Sequence, residues 1–376
     1  MGRRRVVAWP VPLAAIVLSL ACADTATQPT TTPTFGAAGG QGCPKRPTVI
    51  VTDEAALRHA ATNAGAGDII ALDGMIAVGA GNVRLVTDGV TLTCATDGSG
   101  IVFRNNRRIE VFANHVVVDH LVVDGGGSAL PILVTGSDGP DCCVNVGLTD
   151  NLVRGFQLTG VFVLRAIAGL DISGNRFEGS PTALGAIHVQ GTASDGTIAW
   201  NSVDMPEGAF AGISVLDARR MAVEHNRVFG APFAGLRVGT DDSEWRSNTV
   251  DGATGFGVLF EFPLRTGNLI RNNRLTNAGT AGMFVRNACG NIFLGNNLGG
   301  NAGDVGAIFD ASSGANRLAG NGGLVSDGGA ADCTGDGKAD GNVITGHGPV
   351  AGGLHLGPIR HAGVVITVNG EAVVVR

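Results

Sequence analysis

Two acidic residues and two arginines in the second half of the chain have the types and spacing to do chemistry on a charged sugar. Glu261, Arg286 and Asp310 occupy equivalent positions in three successive sequence repeats, and Arg237 lies diagonally from Glu261. Parallel strands of neighbouring coils lie about 4.8 Å apart, which puts the two acids roughly 9.6 Å apart at the backbone. That separation is near the upper end of the range for inverting glycoside hydrolysis, with the arginines binding a substrate carboxylate.

The same column has a simpler interpretation as a ladder of salt bridges. An arginine between two carboxylates stabilises their ionised forms, which makes either acid a poor general acid. We therefore expect Glu261, Arg286 and Asp310 to be structural, and retain them as the candidate catalytic residues if the protein is an enzyme.

A second set of arginines is a candidate for binding an acidic ligand. The residue that follows the recurring asparagine described below is an arginine in every second repeat, at Arg176, Arg227 and Arg274. A glycan whose negative charges recur at the spacing of a disaccharide would match this pattern, and Arg237 could add to the contact. The alternative is an ordinary solvated edge, because arginine is common on exposed turns.

An insertion near the C-terminus resembles a calcium-binding loop. In Asp332-Cys-Thr-Gly-Asp-Gly-Lys-Ala-Asp340, the residues Asp332, Asp336 and Asp340 match positions 1, 5 and 9 of such a loop. Position 12 is Val343, so the bidentate acid is missing. We expect no cofactor apart from a possible structural calcium ion here, and the alternative is a surface loop rich in aspartate and glycine.

These candidates are positioned by an internal repeat. An asparagine recurs every 22 to 26 residues, with an apolar residue three positions before it and another two positions after it, at Asn151, Asn175, Asn201, Asn226, Asn248, Asn273 and Asn297. A second segment with apolar residues at every other position lies between consecutive asparagines and predicts a β-strand. Side-chain amides stacked from coil to coil can hydrogen-bond to one another, so we interpret the column as a structural ladder rather than a ligand site.

A repeat of short strands with no helix predicts a solenoid, in which each unit buries its apolar face only against its neighbours. The chain resembles the right-handed parallel β-helix proteins of the pectin-lyase-like superfamily from Thr48 to Gly357. We therefore predict an all-β, single-stranded right-handed parallel β-helix of about ten coils. A helix that begins after Asp53 would cover its N-terminal end, and a hairpin turning at Asn369-Gly370 would cover its C-terminal end.

The N-terminal sequence predicts export and lipidation. Residues 1–21 combine three arginines with a short apolar stretch, as in a signal peptide, and Leu18-Ser-Leu-Ala-Cys22 resembles a lipobox that would leave Cys22 as the lipidated residue. An ordinary secretory signal is the alternative. Residues 22–46 then form a low-complexity tether, 47–357 the β-helix and 358–376 the hairpin cap.

The cysteines indicate the redox environment of the protein, and the net charge limits the kinds of partner that it can bind. Apart from Cys22, six cysteines remain, and an exported chain would oxidise them; we predict the pairs Cys43–Cys94 and Cys289–Cys333. The formal net charge of −6 argues against nucleic acid as a partner. Contact with a membrane is expected only through the lipid anchor, and we expect a monomer.

Three classes of function are compatible with the sequence. The first is a cell-envelope protein, periplasmic or surface-exposed, that binds polysaccharide without catalysis. The second is a polysaccharide hydrolase or lyase using the Glu261 column, and the third is a periplasmic maturation or metal-handling protein. The turns between most coils are too short to form loops over an active-site groove, which favours binding over catalysis. The histidines and methionines are scattered along the sequence, which argues against metal handling. The link to carbohydrate rests on the resemblance in fold.

Overall fold

The structure is a computed structural model, and it describes residues 42–43, 46–135, 143–165, 167–230, 232–261, 263–346, 350–352, 364–368 and 371–375. The predicted signal peptide, the lipidation site Cys22 and nearly all of the tether lie outside these residues. Among the described residues, no helix is both long and apolar enough to cross a lipid bilayer.

Three long parallel sheets form the body of the protein, and most coils contribute one strand to each of them in turn. Sheet one contains Val49–Val51, Ile69–Leu72, Thr91–Cys94, Val117–Asp119, Gly147–Thr149, Asp171–Ser173, Thr197–Ala199, Ala222–Glu224, Glu244–Arg246, Leu269–Arg271, Ile292–Leu294, Arg317–Ala319 and Val343–Thr345. Sheet two contains Met75–Val78, Gly100–Phe103, Val122–Asp124, Leu152–Phe156, Arg176–Gly179, Ser202–Met205, Arg227–Gly230, Thr249–Asp251 and Arg274–Thr276.

Sheet three follows in each coil and contains Val83–Leu85, Ile109–Val111, Ile132–Thr135, Thr159–Leu164, Gly185–Gln190, Ala211–Arg219, Ala234–Asp241, Phe256–Phe260, Ala281–Val285, Val305–Phe309, Leu324–Asp327 and Val350–Gly352. A small parallel sheet joins Arg265–Thr266, Ala288–Cys289 and Ser313–Gly314. The result is a β-helix of about eleven coils, which confirms the predicted fold class.

Apolar columns fill the interior because equivalent residues of successive coils pair in exact register. In sheet one, for example, Ile198, Val223, Trp245 and Ile270 are consecutive partners, and all four are fully buried. Burial of such columns is the main stabilising contribution in a solenoid, because each coil removes the apolar face of its neighbour from water.

The asparagine column forms a continuous ladder inside the turn between sheets one and two. Each side-chain amide donates to the Oδ1 of the next asparagine at 2.6–3.0 Å, in the order Asn151, Asn175, Asn201, Asn226, Asn248, Asn273, Asn296 and Asn321. Each Oδ1 also accepts a backbone N–H of the preceding coil, as from Asn201 to Asn226 at 3.0 Å. The buried amides are thereby satisfied, as burial of polar groups requires.

The predicted register of this ladder is wrong at its seventh member. Asn296 rather than Asn297 accepts from Asn273, and Asn297 is exposed. The apolar residue three positions before is then Phe293, which is buried, whereas Leu294 is exposed. Two adjacent asparagines made the choice ambiguous, and the apolar residues on either side decide it.

A second asparagine ladder supports the last coils. Asn268, Asn291, Asn316 and Asn342 are linked amide to carbonyl at 2.9–3.1 Å, between the small sheet and sheet one. Sequence analysis missed it, although its members are also 23 to 26 residues apart. From Asn268 onward, a second turn of each coil is therefore stabilised by stacked asparagine amides.

The N-terminal helix, the C-terminal hairpin and the two disulfides are present as the sequence predicts. Helix Glu54–Asn63 begins after Asp53, whose carboxylate accepts the N–H of Ala56 at 2.9 Å. Strands Val364–Val368 and Glu371–Val375 pair as an antiparallel hairpin, with the turn itself outside the described residues. The predicted disulfides Cys43–Cys94 and Cys289–Cys333 are confirmed.

Candidate functional site

The corner between sheets one and two places a set of side chains on the outside of the solenoid. The residue before each ladder asparagine has a left-handed backbone with φ between 51° and 69°, at Asp150, Gly174, Trp200, His225, Ser247, Asn272, Gly295 and Gly320. This turn directs the asparagine inward, and the residue after it begins the sheet-two strand with its side chain outward. The corner residue and that strand residue therefore form two parallel surface columns.

The predicted arginine track occupies the second of these columns. Arg176, Ser202, Arg227, Thr249 and Arg274 are consecutive partners in register, and all three arginines are exposed. Alternate coils are roughly 9.6 Å apart, so the cationic groups recur at that interval.

The three arginines have few internal partners. Arg176 contacts Glu178 at 2.8 Å but keeps 66% of its side chain exposed. The Arg227 guanidinium lies 5.1 Å from the centre of the Phe229 ring. Within the described residues, neither Arg227 nor Arg274 has a carboxylate at ion-pair distance. Two of the three cations are thus available to an external anion.

A stacked aromatic pair, of which Trp200 is exposed and His225 is partly buried, lies in the corner column beside this track. The rings of Trp200 and His225 are stacked, with centroids 4.1 Å apart and planes inclined by 4°. Trp200 remains 49% exposed. Aromatic faces bind apolar surfaces of ligands, including the C–H faces of sugar rings.

A group of ionisable side chains lies in the same corner, towards the N-terminus. Asp119, His120 and Asp150 bring one potential metal-ligating atom each within 4.8 Å of one another, and His120 Nδ1 lies 2.7 Å from Asp119. Burial raises the pKa of Asp150, an effect that His120 opposes and Asp119 increases. Sequence analysis missed this group because its members are distributed over two coils.

The predicted catalytic column lies in a different environment at the end of the sheet-three strands. The predicted column of Glu261, Arg286 and Asp310, together with the diagonal Arg237, contains two arginine–carboxylate pairs. Arg237 Nε lies 3.4 Å from Glu261, and Arg286 Nε lies 3.6 Å from Asp310. The side chains of Arg237 and Glu261 are only 2% and 9% exposed, so the expected open strand face is buried at this point.

The electrostatics of this region follow from burial. Burial lowers the pKa of Arg237 to about 10, although Glu261 opposes the effect, so the guanidinium stays charged at neutral pH. Burial lowers the pKa of His188 to about 3, and Arg237 adds to that shift. Asp310 also accepts the Ser312 N–H at 2.7 Å. Buried acids paired with arginine suit a structural role better than proton transfer.

The predicted calcium residues do not converge. Asp332 accepts N–H groups from Gly335 and Gly337 at 2.6 and 2.7 Å, and these bonds, that of Gly337 foremost, lower its pKa. Asp340 accepts the N–H of Cys333 at 2.9 Å, and Asp336 that of Lys338. Among the described residues, the only group of three potential ligands is Asp119, His120 and Asp150. Calcium in this loop stays a prediction.

Several solved structures are similar in fold. One is a mannuronic acid specific polysaccharide family 6 lyase from human gut microbiota, with a TM-score of 0.58 and 13% identity over 81% of this chain and 82% of that chain. A second is the PL6 family alginate lyase AlyGC, with a TM-score of 0.53 and 14% identity over 86% and 55% of the two chains. A third is the Dettilon tailspike protein, with a TM-score of 0.43 and 11% identity over 78% and 64%.

At these identities the likeness is one of fold alone, and the chain spans about half the length of AlyGC and just under two thirds of the tailspike. No curated protein matches the chain. A sequence model of the right-handed beta helix region matches residues 99–322 and 211–374. Because these ranges together cover well over half of the sequence, the chain belongs to the right-handed β-helix family.

Proposed function

We propose that this protein binds an acidic polysaccharide along the arginine column of sheet two, without cleaving it. The observation that carries the proposal is the exposure of Arg176, Arg227 and Arg274 at two-coil intervals in one register column. A regular cationic row on a rigid scaffold is complementary to a polymer with regularly spaced carboxylates, because no ordering of the protein is needed on binding.

Two further observations support a carbohydrate partner. The Trp200–His225 pair lies beside the row, and its exposed member Trp200 offers an aromatic face. Two of the similar structures are lyases named for mannuronic acid and for alginate. Export to the cell envelope with a lipid anchor at Cys22 is part of the proposal, since polysaccharides of this kind are encountered there.

Catalysis is not part of the proposal because the acids that would perform it are already engaged. Glu261 and Asp310 each contact an arginine, and Glu261 is almost fully buried. A general acid needs a protonated carboxyl that reaches the substrate, and a charged arginine beside it works against that state. We therefore expect binding of polyuronates with no new reducing ends and no unsaturated products.

The test is a binding screen of polymannuronate, polygalacturonate and a neutral β-glucan at two salt concentrations. We expect affinity for the polyuronates that weakens as salt rises, because the contact is electrostatic. The triple substitution of Arg176, Arg227 and Arg274 by Gln should remove most of this affinity. The matched control replaces Arg84, Arg154 and Arg220, which are similarly exposed but paired with Glu110, Asp124 and Asp195. Equal loss in both triple variants would refute a specific track.

A further inference from the structure

Trp200 has a backbone conformation that its side chain does not favour. Its φ is 59°, in the left-handed region, where most corners of this column have small or polar residues. A bulky residue with positive φ is uncommon and carries a conformational cost. The side chain is also 49% exposed, so burial in the core does not compensate for that cost. Such a residue on a surface is a candidate for ligand contact.

The stacking partner fixes the orientation of the indole. His225 is the corner residue of the next coil, and its ring lies parallel to the indole at a centroid distance of 4.1 Å. Coils are about 4.8 Å apart, so both rings lie roughly perpendicular to the axis of the solenoid. One face of Trp200 is covered by His225, and the other is turned towards the preceding coil.

The preceding coil contributes no side chain of its own to cover that second face. Its corner residue is Gly174, which has no side chain, and φ there is 69°. The next corner beyond it is Asp150, whose carboxylate leans over the glycine: a Cβ added to Gly174 would lie 2.2 Å from Asp150 Oδ1. Aspartate is much shorter than tryptophan, so the outer part of the indole face extends past the carboxylate. The corner thus forms a slot with an aromatic wall and an acidic floor.

Groups suited to a sugar acid surround the slot. Arg176 follows Gly174 by two residues and is 66% exposed, so its remaining donors can bind a carboxylate. Asp150 itself lies 4.0 Å from His120 Nε2, and both can bond to hydroxyl groups. A pyranose ring has an apolar C–H face and a polar rim, which matches an aromatic wall with polar groups at its edge.

We propose that the slot formed by Trp200, Gly174 and Asp150 is a subsite for one hexuronate ring, which stacks on Trp200 with its carboxylate towards Arg176 and its hydroxyl groups towards Asp150. This proposal rests on the proposed function, because the ring would belong to the polysaccharide bound along the arginine column. It adds the monosaccharide class and the point at which the polymer is held in register.

Tryptophan fluorescence tests the subsite directly. Trp245 is fully buried, so among the described residues Trp200 is the indole that a ligand can reach. Titration with tetramers of mannuronate and galacturonate should change the emission of the wild-type protein, and Trp200→Phe should abolish most of that change. We expect Trp200→Ala to weaken tetramer binding about tenfold and Trp200→Phe to weaken it less, since Phe keeps an aromatic face.

A second pair of variants tests the arrangement of the slot without removing the indole. Gly174→Ala adds a methyl group that would lie 2.2 Å from Asp150 Oδ1 and displace that carboxylate from the slot, whereas Gly267→Ala adds one 2.2 Å from Asp242 Oδ1, at a left-handed glycine outside the slot. Both variants are strained, so their thermal stabilities serve as the comparison for folding. Weaker tetramer binding in Gly174→Ala alone supports the subsite.

The outcomes separate this inference from the function on which it rests. If the wild-type protein binds no polyuronate, the proposed function fails and the subsite fails with it. If the wild-type protein binds polyuronate and Trp200→Ala binds tetramers equally well, with no change in wild-type emission, the subsite is refuted and the arginine track is not.

Discussion

Two sets of charged residues run along the solenoid. One is a column at the start of the sheet-two strands, and the other consists of two neighbouring columns on the outer face of sheet three, together called the sheet-three column. In the first, Arg176, Arg227 and Arg274 are exposed. In the second, Arg237 is buried against Glu261, and Arg286 contacts Asp310 with 23% of its side chain exposed. Both columns arise from the same repeat, so register alone does not distinguish a binding surface from a structural network. The two are distinguished by how far the arginine side chains are buried and by whether they are paired with carboxylates.

Arginine therefore has a structural role in the sheet-three column and a proposed ligand-binding role in the sheet-two column. A guanidinium that is already desolvated beside a carboxylate has little left to offer a ligand, and its removal leaves a buried charge behind. An exposed guanidinium contributes little to stability and keeps its donors for an external anion. The two columns should therefore respond in opposite ways to the same kind of substitution.

The largest expected effect is on stability in the sheet-three column. Arg237→Met should lower the free energy of unfolding by about 3–5 kcal/mol, because Glu261 is left buried without this partner. Adding Glu261→Gln should recover part of the loss. Arg227→Met, the matched change in the sheet-two column, should alter stability by about 0.5 kcal/mol or less. Chemical denaturation measures all three, and similar losses for Arg237→Met and Arg227→Met would remove the contrast.

The ladder beneath the sheet-two column should support stability and not binding. Asn226 donates to Ile198 O and Asn248 and accepts from Asn201, all within the interior. Asn226→Ala should lower the free energy of unfolding by about 3 kcal/mol, because several buried polar groups lose their partners. The exposed neighbour of the ladder provides the control, Asn297→Ala, which should be close to neutral. Loss of polysaccharide binding by folded Asn226→Ala, with unchanged melting, would assign the ladder a functional role.

The sheet-three column should also make stability depend on pH through His188. The pKa of His188 is lowered to about 3 in the folded protein, so below its ordinary value of 6.5 the unfolded chain binds a proton that the folded chain does not. Stability from this group is present above pH 6.5 and decreases as pH falls from 6.5 towards 3, by up to about 1.4 kcal/mol per pH unit.

His188→Gln isolates this contribution. Denaturation of both proteins from about pH 7 to about pH 5 should give a shallower loss in the variant than in the wild type. Parallel curves would mean that His188 takes up a proton as readily in the folded protein as in the unfolded chain, which contradicts its burial.

The smallest expected effect on stability accompanies an effect on binding. Arg274→Gln should leave thermal stability unchanged, since the described residues contain no carboxylate at ion-pair distance from it, and should weaken polyuronate binding several-fold at low salt. At high salt the variant and the wild type should converge. Weakening that persists at high salt would mean that Arg274 makes a contact other than a screened ionic one.

Sequence predicted the fold because the β-helix repeats its requirements in every coil. The apolar residues around each ladder asparagine specify which side chains point inward, and they also resolve the error at Asn297 in favour of Asn296. The Asp53 cap and the two disulfides rest on local or pairwise signals that the sequence shows. These features depend on neighbours along the chain or one coil away.

The surfaces were less predictable because burial depends on what covers a strand. Alternation places Arg237 and His188 on the outer side of sheet three, and a solvent-facing position was the natural expectation; both are about 99% buried. The Trp200–His225 stack requires knowledge that both residues adopt left-handed corners, which neither residue type suggests. The Asp119, His120 and Asp150 group likewise arises from side-chain directions at a turn rather than from spacing.

The most direct test compares polyuronate affinity in two variants that alter one column each. We predict that replacing Arg176, Arg227 and Arg274 by Gln weakens binding at least about tenfold without lowering the melting temperature. Replacing Glu261 by Gln and Asp310 by Asn should lower the melting temperature and leave the affinity of the folded protein unchanged. The opposite result, in which binding survives loss of the exposed arginines and is lost with the two acids, would contradict the account.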